Sequence, residues 1–407
     1  MRTRFSLALT LSLAVLTDGA SAQSQVLVVS PTGPYTQLQA AVDAASDGDI
    51  VLVKAGAYGA LSIGDESMSI VADTAASVST GSISITDLST SRRVALSGLQ
   101  SNWWSGGVQR LALKNCSGAV RIDRSRIVGA DGQTVSASAG ADVQQSTNVA
   151  FSNCVLVGGG LGALNGGPGV YASSSSVAFY DCDVSGGWGG SDYYTSYAGG
   201  DGGAGCHAAA SFLFTSGSHF EGGWGGDAYA SWGHKGVGGC GVLLSGVLNE
   251  MPALASMFAG GLGGCAPYAG CLGLSPDVCG FPGSLQVLSG GSKQLDVASP
   301  VRELSSAQVT IKAAPGDRVF LYISIEPDWI WLSYWSGVSC TGRPPSNGRA
   351  FLGIVPGSGT LTTDLPIPDL LPAGTGATLF LQLLAWDGSN TVTLGSPRTL
   401  VILDQSL

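Results

Sequence analysis

Three stretches decide the fold: Leu111-Ala-Leu-Lys-Asn-Cys116, Val149-Ala-Phe-Ser-Asn-Cys154 and Val177-Ala-Phe-Tyr-Asp-Cys182, which align without gaps. Phe212-Leu-Phe-Thr-Ser-Gly217 continues the series with Gly in place of Cys. Each opens on a short β-rich run, and the last three lead into glycine: Gly158-Gly-Gly-Leu-Gly162, Gly186-Gly-Trp-Gly-Gly190 and Gly222-Gly-Trp-Gly-Gly226. A second recurrence, Gly169-Val170, Gly205-Cys206 and Gly239-Cys240, introduces further apolar segments. Short strands repeating every ~25–40 residues describe a solenoid, whose coils bury their apolar faces only against one another. The unequal spacings of 38, 28 and 35 residues place loops of different length at one corner. Equivalent positions then stack about 4.8 Å apart. This predicts an interior ladder of Cys116, Cys154 and Cys182 beside one of Asn115, Asn153 and Asp181, with Cys206 and Cys240 stacked separately. Small polarizable thiols suit a buried stack, so the ladder cysteines are expected to be free.

Upstream, residues 34–63 read PYTQLQAAVDAASDGDIVLVKAGAYGALSI. Thr36 is placed to cap a helix carrying Leu38, Val42 and Ala45 on one face, and Asp47-Gly48-Asp49 turns the chain into the strand Ile50–Val53. Gly56 and Tyr58 follow, then a strand around Leu61–Ile63. This segment resembles the opening of right-handed parallel β-helix proteins of the pectin-lyase-like superfamily. There a helix caps the open end of the coil and a GD-strand-GxY stretch forms the first rung. Such a cap answers a physical need, because a stack of strands ends in unpaired backbone groups and an exposed apolar cross-section.

Composition narrows the class. Glycine supplies 62 of 407 residues without a G-X-Y period, which excludes collagen, and 44% hydrophobic residues exclude charge-driven disorder. A formal net charge of −10 argues against nucleic acid as a partner. Arg2 and Arg4 before an apolar run from Phe5 to Leu16, then Ala20-Ser21-Ala22, read as a secretory signal peptide over 1–22. The run is too short to anchor in lipid, so a secreted, extracellular or cell-surface protein without a transmembrane segment is expected. From about Gly283 glycine thins out, and β-rich runs at Val309–Lys312, Val319–Ile325, Phe351–Val355, Thr378–Ala385 and Thr399–Leu403 alternate with turn signals. The expected organisation is therefore all-β: a right-handed parallel β-helix with an N-terminal capping helix over 23–282, then a smaller β-sandwich over 283–407. The closing GSPRTLVILDQSL resembles a terminal module of exported glycine-rich β-helix proteins. Of the nine cysteines, Cys265, Cys271 and Cys279 fall in a proline-bearing stretch suited to a covalent staple, with Cys340 a further candidate partner.

Chemistry concentrates at 181–235. All three histidines (His207, His219, His234) lie there with Trp188, Tyr193, Tyr194, Tyr197, Trp224, Tyr229 and Trp232. If the loops leave one corner, these aromatics share a face suited to sugar rings, rings supplying contact area and polar groups orientation. The blander alternative is that they pack on one another and shield the rungs. For catalysis the candidates are Asp181, Asp183, His219, Glu221 and His234; Asp181 and Asp183 straddle one residue and so share a strand face. The resemblance implies a polysaccharide lyase or glycoside hydrolase if the chain is an enzyme. Lyases of that kind set Ca²⁺-binding carboxylates and a basic residue against an acidic sugar, yet Lys235 is the sole cation between 155 and 264. Pectin-type hydrolases carry Asn-Thr-Asp, Asp-Asp and Gly-His-Gly, whereas this chain has Asp181-Cys-Asp183, Gly233-His234-Lys235 and no Asn-Thr-Asp. Arg121, Arg124 and Arg126 around Asp123 read as a solvated strand face. The glycine runs match fragments of a Ca²⁺-binding nonapeptide, leaving Asp192, Asp201 and Asp227 as weak Ca²⁺ ligands without the required period. Glycine at loop corners with positive φ accounts for the same pattern. The leading expectation is a non-catalytic surface protein presenting aromatic, acidic loops to extracellular polysaccharide or to surface proteins. A glycan-degrading enzyme and a purely structural spacer are the alternatives.

Overall fold

The computed structural model describes residues 24–101, 111–131, 137–160, 165–191, 198–228, 234–246, 248–266, 270–281, 284–341, 348–369, 372–389 and 391–407. The expected signal peptide lies outside these residues, as do Asp192, Tyr193, Tyr194, Tyr197, Tyr229 and Trp232.

The chain winds through three sheets. One coil runs Val170–Ser173, Ser176–Tyr180 and Asp183–Ser185, then an outward loop leads to Cys206–Ala209, which lies beside Val170–Ser173. Among the described residues, two sheets have eight parallel strands each. The third, longer sheet runs in parallel from Ser24–Val29 to Leu285–Leu288 and joins the antiparallel C-terminal strand Thr375–Trp386 through Ser24–Val29. This is the expected parallel β-helix. Strand alternation explains it: Phe151 and Phe179 point inward, sit level in register and stack at 5.5 Å, so like residues pack on like along the axis. At the start, the helix Leu38–Ala44 buries Leu38, Ala41 and Val42 in the same core as Val29, Val51 and Ile63. Its N-cap is Gln37, with no side-chain cap bond, so the expected Thr36 cap does not form. Asp49 fixes the first turn instead, accepting from the N–H of Gln25 (2.9 Å) and Ser46 (2.8 Å).

One ladder is not as the alignment predicts. Leu111–Lys114 pairs with Ile83–Thr86 and Ala141–Gln144, whereas Val149–Ser152 and Ser176–Tyr180 belong to the longer sheet. Asn115 therefore stands at a different corner from Asn153 and Asp181, and its side chain donates to Asp87 (2.9 Å). Cys116 likewise meets Ser146, while Cys154 and Cys182 stack as expected. The cause is that both corners solve one problem alike: a left-handed residue ends the strand (φ 55° at Asn115, 53° at Asn153 and Asp181) and a small buried residue follows. Cys206 stacks between Val170 and Val242, not with Cys240, which is bonded to Cys279. Cys265 and Cys271 form the second disulfide, and Cys116, Cys154, Cys182, Cys206 and Cys340 are free and buried. Cys340 thus makes no bridge between the two parts.

The C-terminal residues form a sandwich. Gln294–Val297, Ser306–Lys312 and Thr360–Pro366 face a sheet containing Arg318–Ser324, Thr375–Trp386 and Val392–Leu403, with Leu295, Val309, Ile311, Leu321, Leu381 and Leu400 buried between them. This sandwich lies across the outward face of the longer helix sheet, where Ala150, Ala178, Tyr180 and Phe214 pack with Val338 and Cys340. Arg121 and Asp123 are consequently buried, correcting the solvated-face expectation. Arg121 donates to Asn148 Oδ1 (2.7 Å) and to the Asp328 carbonyl (2.5 Å), and Arg398 reaches Asp123 at 3.3 Å. Burial still pushes the Asp123 carboxyl above its ordinary value, against the pull of Arg398 and Arg124. Arg126, on another sheet, is exposed.

Candidate functional site

The glycine-rich loops are neither corners nor open coils. Their outgoing and returning arms lie side by side, joined backbone to backbone: Gly261 donates to Gly239, Gly239 to Gly223, Gly223 to Gly203, Gly203 to Gly187 and Gly187 to Gly167, each at 2.8 Å. Bond direction repeats every third residue. Gly199, Gly202 and Gly205 donate to His234, Val237 and Cys240 of the next coil, while Gly200 and Gly203 donate across to Gly190 and Gly187. Three residues per turn in an extended chain is the polyproline-II helix, whose backbone groups all point outward and are free to bond neighbours. Two of every three positions then face another arm. A Cβ built on Gly187 would lie 2.5 Å from the carbonyl carbon of Gly159, and one on Gly203 equally close to that of Gly167. Neither glycine has a positive φ in the left-handed range, so close backbone approach, not loop-corner φ, requires glycine here. The sequence signal was present as the local period GGWGGS and GGDGGA over 186–191 and 199–204-type positions, hidden by the absence of that period chain-wide.

The third position faces solvent and carries the side chains. Gly189 donates to the Trp224 carbonyl and Gly225 to that of Leu262, which places Trp188, Trp224 and Leu262 on successive rungs. The two indoles are parallel within 7°, 5.2 Å apart, and 50% and 46% exposed. The acidic residues of the same arms have other work. Asp201 Oδ1 accepts from the Val237 N–H (2.8 Å) and Asp227 Oδ1 from the Cys265 N–H (2.6 Å), so these two Ca²⁺ candidates cap the backbone of the next coil. Among the described residues no group of three or more His, Cys, Asp or Glu side chains converges as a metal cluster. His234 is exposed on a returning arm, and His207 is half-buried against Tyr171 with Nε2 2.7 Å from Ser245 Oγ.

The catalytic candidates gather elsewhere. Asp181 ends a strand of the longer sheet; Asp183 begins the next strand, and His219 stacks on it in register with Nδ1 3.3 Å from Oδ1. Together with Asn153, Gln294, Asp296, Thr310, Lys312 and Arg398 they line a cleft of about 390 Å³ between coil and sandwich. Burial raises the Asp181 carboxyl pKa, opposed by Arg398, Ser396, Gln294 and Lys312, and its Oδ2 has no hydrogen-bond partner. Glu221 faces outward two residues beyond His219 but does not line the cleft, and neither does His234. Asp181, Asp183 and His219 thus lie near one another, but not on the shared strand face expected for the two aspartates: Asp181 is the left-handed corner residue after Ser176–Tyr180 and Asp183 opens a strand of another sheet. The sandwich residues of the cleft were not foreseen in the sequence. Gln294 to Arg398 lie over 70 residues away from those three with no local pattern pointing back.

Against known proteins, no family model matches the chain, and no curated protein matches it. A solved structure that resembles it is the pectin methylesterase from Aspergillus niger in deglycosylated form, at 16% identity over 67% of this chain and 83% of that one, with a TM-score of 0.29. The β-helix assignment accordingly stands on the strand register. No helix among the described residues is long and apolar enough to cross a membrane.

Proposed function

We propose that the chain is an exported, non-catalytic recognition protein that binds neutral extracellular polysaccharide through the tryptophan ladder on its glycine bundle. The observation that carries this reading is the parallel Trp188–Trp224 pair, half-exposed on a platform whose backbone is bonded on several sides. Rigid aromatics lose little freedom on binding, and their area supplies affinity for the C–H faces of sugar rings. The two disulfides support an oxidising, extracellular setting. Covering the remaining half of one indole removes about 100 Å² from water, at most ~2.5 kcal/mol, or up to roughly 60-fold in affinity. Affinity electrophoresis through gels containing neutral and acidic polysaccharides tests the reading. Retardation by a neutral polymer, lost in Trp188→Ala with Trp224→Ala, is expected; a double variant that migrates like wild type on every polymer refutes it.

A further inference from the structure

The cleft between coil and sandwich is a second polar surface that the ladder does not use. It carries both signs of charge. Arg398 is committed to Asp123 and Ser152 within the protein, and Asp181 is half-buried, which raises its carboxyl pKa. That leaves Lys312 against Asp183 and Asp296, all three exposed, with His219 beside Asp183. Donors and acceptors both line it: the amides of Asn153 and Gln294, the Thr310 hydroxyl, the Lys312 ammonium and the carboxylates. Among the described residues no aromatic ring other than His219 lines it, which points away from stacking as its mode of recognition. A volume of about 390 Å³ is at the small end of ligand sites, which run from roughly 300 to 1,000 Å³. An anion would meet two exposed carboxylates and a cation would meet Lys312. A ligand that both donates and accepts at many points without net charge meets neither conflict.

We infer that this cleft is a separate binding site for a single neutral, hydroxyl-rich unit, a monosaccharide or the end of a short saccharide. Lys312, Asn153 and Thr310 donate to its oxygens; Asp183 and Asp296 accept from its hydroxyls. Because the cleft is walled by both parts of the chain, the ligand also bridges coil and sandwich. The site is independent of the ladder reading, since Trp188 and Trp224 do not line the cleft.

Saturation-transfer NMR on the full chain, with a panel of neutral monosaccharides and disaccharides, tests the inference. Wild type and the Trp188→Ala/Trp224→Ala variant are both expected to transfer saturation to at least one sugar. Lys312→Ala and Asp183→Asn are each expected to weaken that sugar about tenfold, the loss of one charge-assisted hydrogen bond. Both positions are exposed, so the variants keep the fold, which circular dichroism checks. Loss of signal in the tryptophan variant with retention in the cleft variants would place the sugar on the ladder and overturn the inference. No transfer to any sugar by wild type at millimolar concentration would overturn it as well. Release of reducing ends from an oligosaccharide, abolished by Asp183→Asn, would replace a binding site with a hydrolytic one.

Discussion

Replacing Gly187 by Ala separates close packing of the arms from an open, loosely held loop, because the two predict opposite signs. Where φ is unconstrained and space is open, Gly→Ala stabilises by about 0.4–1 kcal/mol through the unfolded chain. At Gly187 the new methyl would overlap the Gly159 carbonyl oxygen and sit 2.5 Å from its carbon, whereas carbon atoms in good contact lie about 3.5–4.0 Å apart. The arms must part by more than about 1 Å. Gly187 donates to Gly167 and accepts from Gly203, both at 2.8 Å, and a 1 Å displacement takes both bonds past the usual ~3.2 Å limit. Each bond contributes about 0.5–1.5 kcal/mol net, and a buried group left without a partner costs about 1–3 kcal/mol. The expected net loss is therefore about 1–4 kcal/mol. Gly64→Ala and Gly357→Ala, where nothing lies within 4 Å and φ is not in the left-handed range, are the controls and should be neutral or slightly stabilising. Urea unfolding followed by tryptophan fluorescence measures the difference, and amide exchange at 158–169 and 199–205 localises it. A Gly187→Ala protein as stable as the controls would refute close packing as the reason for these glycines.

Three further outcomes are expected. Arg398→Ala removes one of the two guanidinium partners of the buried Asp123 carboxylate, Arg124 remaining at 3.3 Å, and should cost about 1–3 kcal/mol in chemical unfolding, part of which Asp123→Asn in the same chain should restore. Burial alone would raise Asp73, but its bonds to Lys54 and Thr74 and the charges of Lys54 and Arg302 outweigh this and hold it below 3.8. Its contribution is thus complete above pH 3.8 and lost as pH falls through the lower folded value, so Asp73→Asn should flatten the acid limb of stability against pH. Opening Cys240–Cys279, which spans 39 residues, should cost about 4 kcal/mol, against about 2 kcal/mol for the six-residue Cys265–Cys271 loop, in calorimetric comparison of the paired Ser variants.

What the sequence made legible follows from which interactions are local. Repetition of strand, left-handed residue and small residue showed a stacked coil, because each rung must satisfy the same neighbours. It could not say which corner each copy occupies, since Asn115–Cys116 and Asn153–Cys154 obey one rule at two corners. The helix at Leu38–Ala44 was legible from its apolar face, whereas its N-cap was not, because tertiary packing on the first rung fixes the start. Burial of Arg121 and Asp123 depends on Asp328 and Arg398, more than 200 residues away. Alternating charge on a strand looks the same whether water or another sheet lies above it.

The covering of that sheet determines where recognition can occur. In an uncovered coil, the broad outward face of the longer sheet would be the natural groove; here Tyr180 donates to the Val338 carbonyl at 2.7 Å and Phe214 meets Trp331, so that face is interior. The sandwich is also tied to the first rung by strand pairing at Ser24 and Gln25, which fixes it along the coil's length. Polar side chains at the margin of this contact then form a cleft walled by both parts, and the half-exposed Trp188 and Trp224 stand apart from it on the glycine-rich loops. The glycine bundle makes that second location usable. Ordinary loops of 20 residues would move and shield their own tryptophans, whereas arms bonded at every third residue in each direction hold Trp188 and Trp224 parallel and half open to solvent. Removing side chains from two positions in three is what allows the third to be displayed.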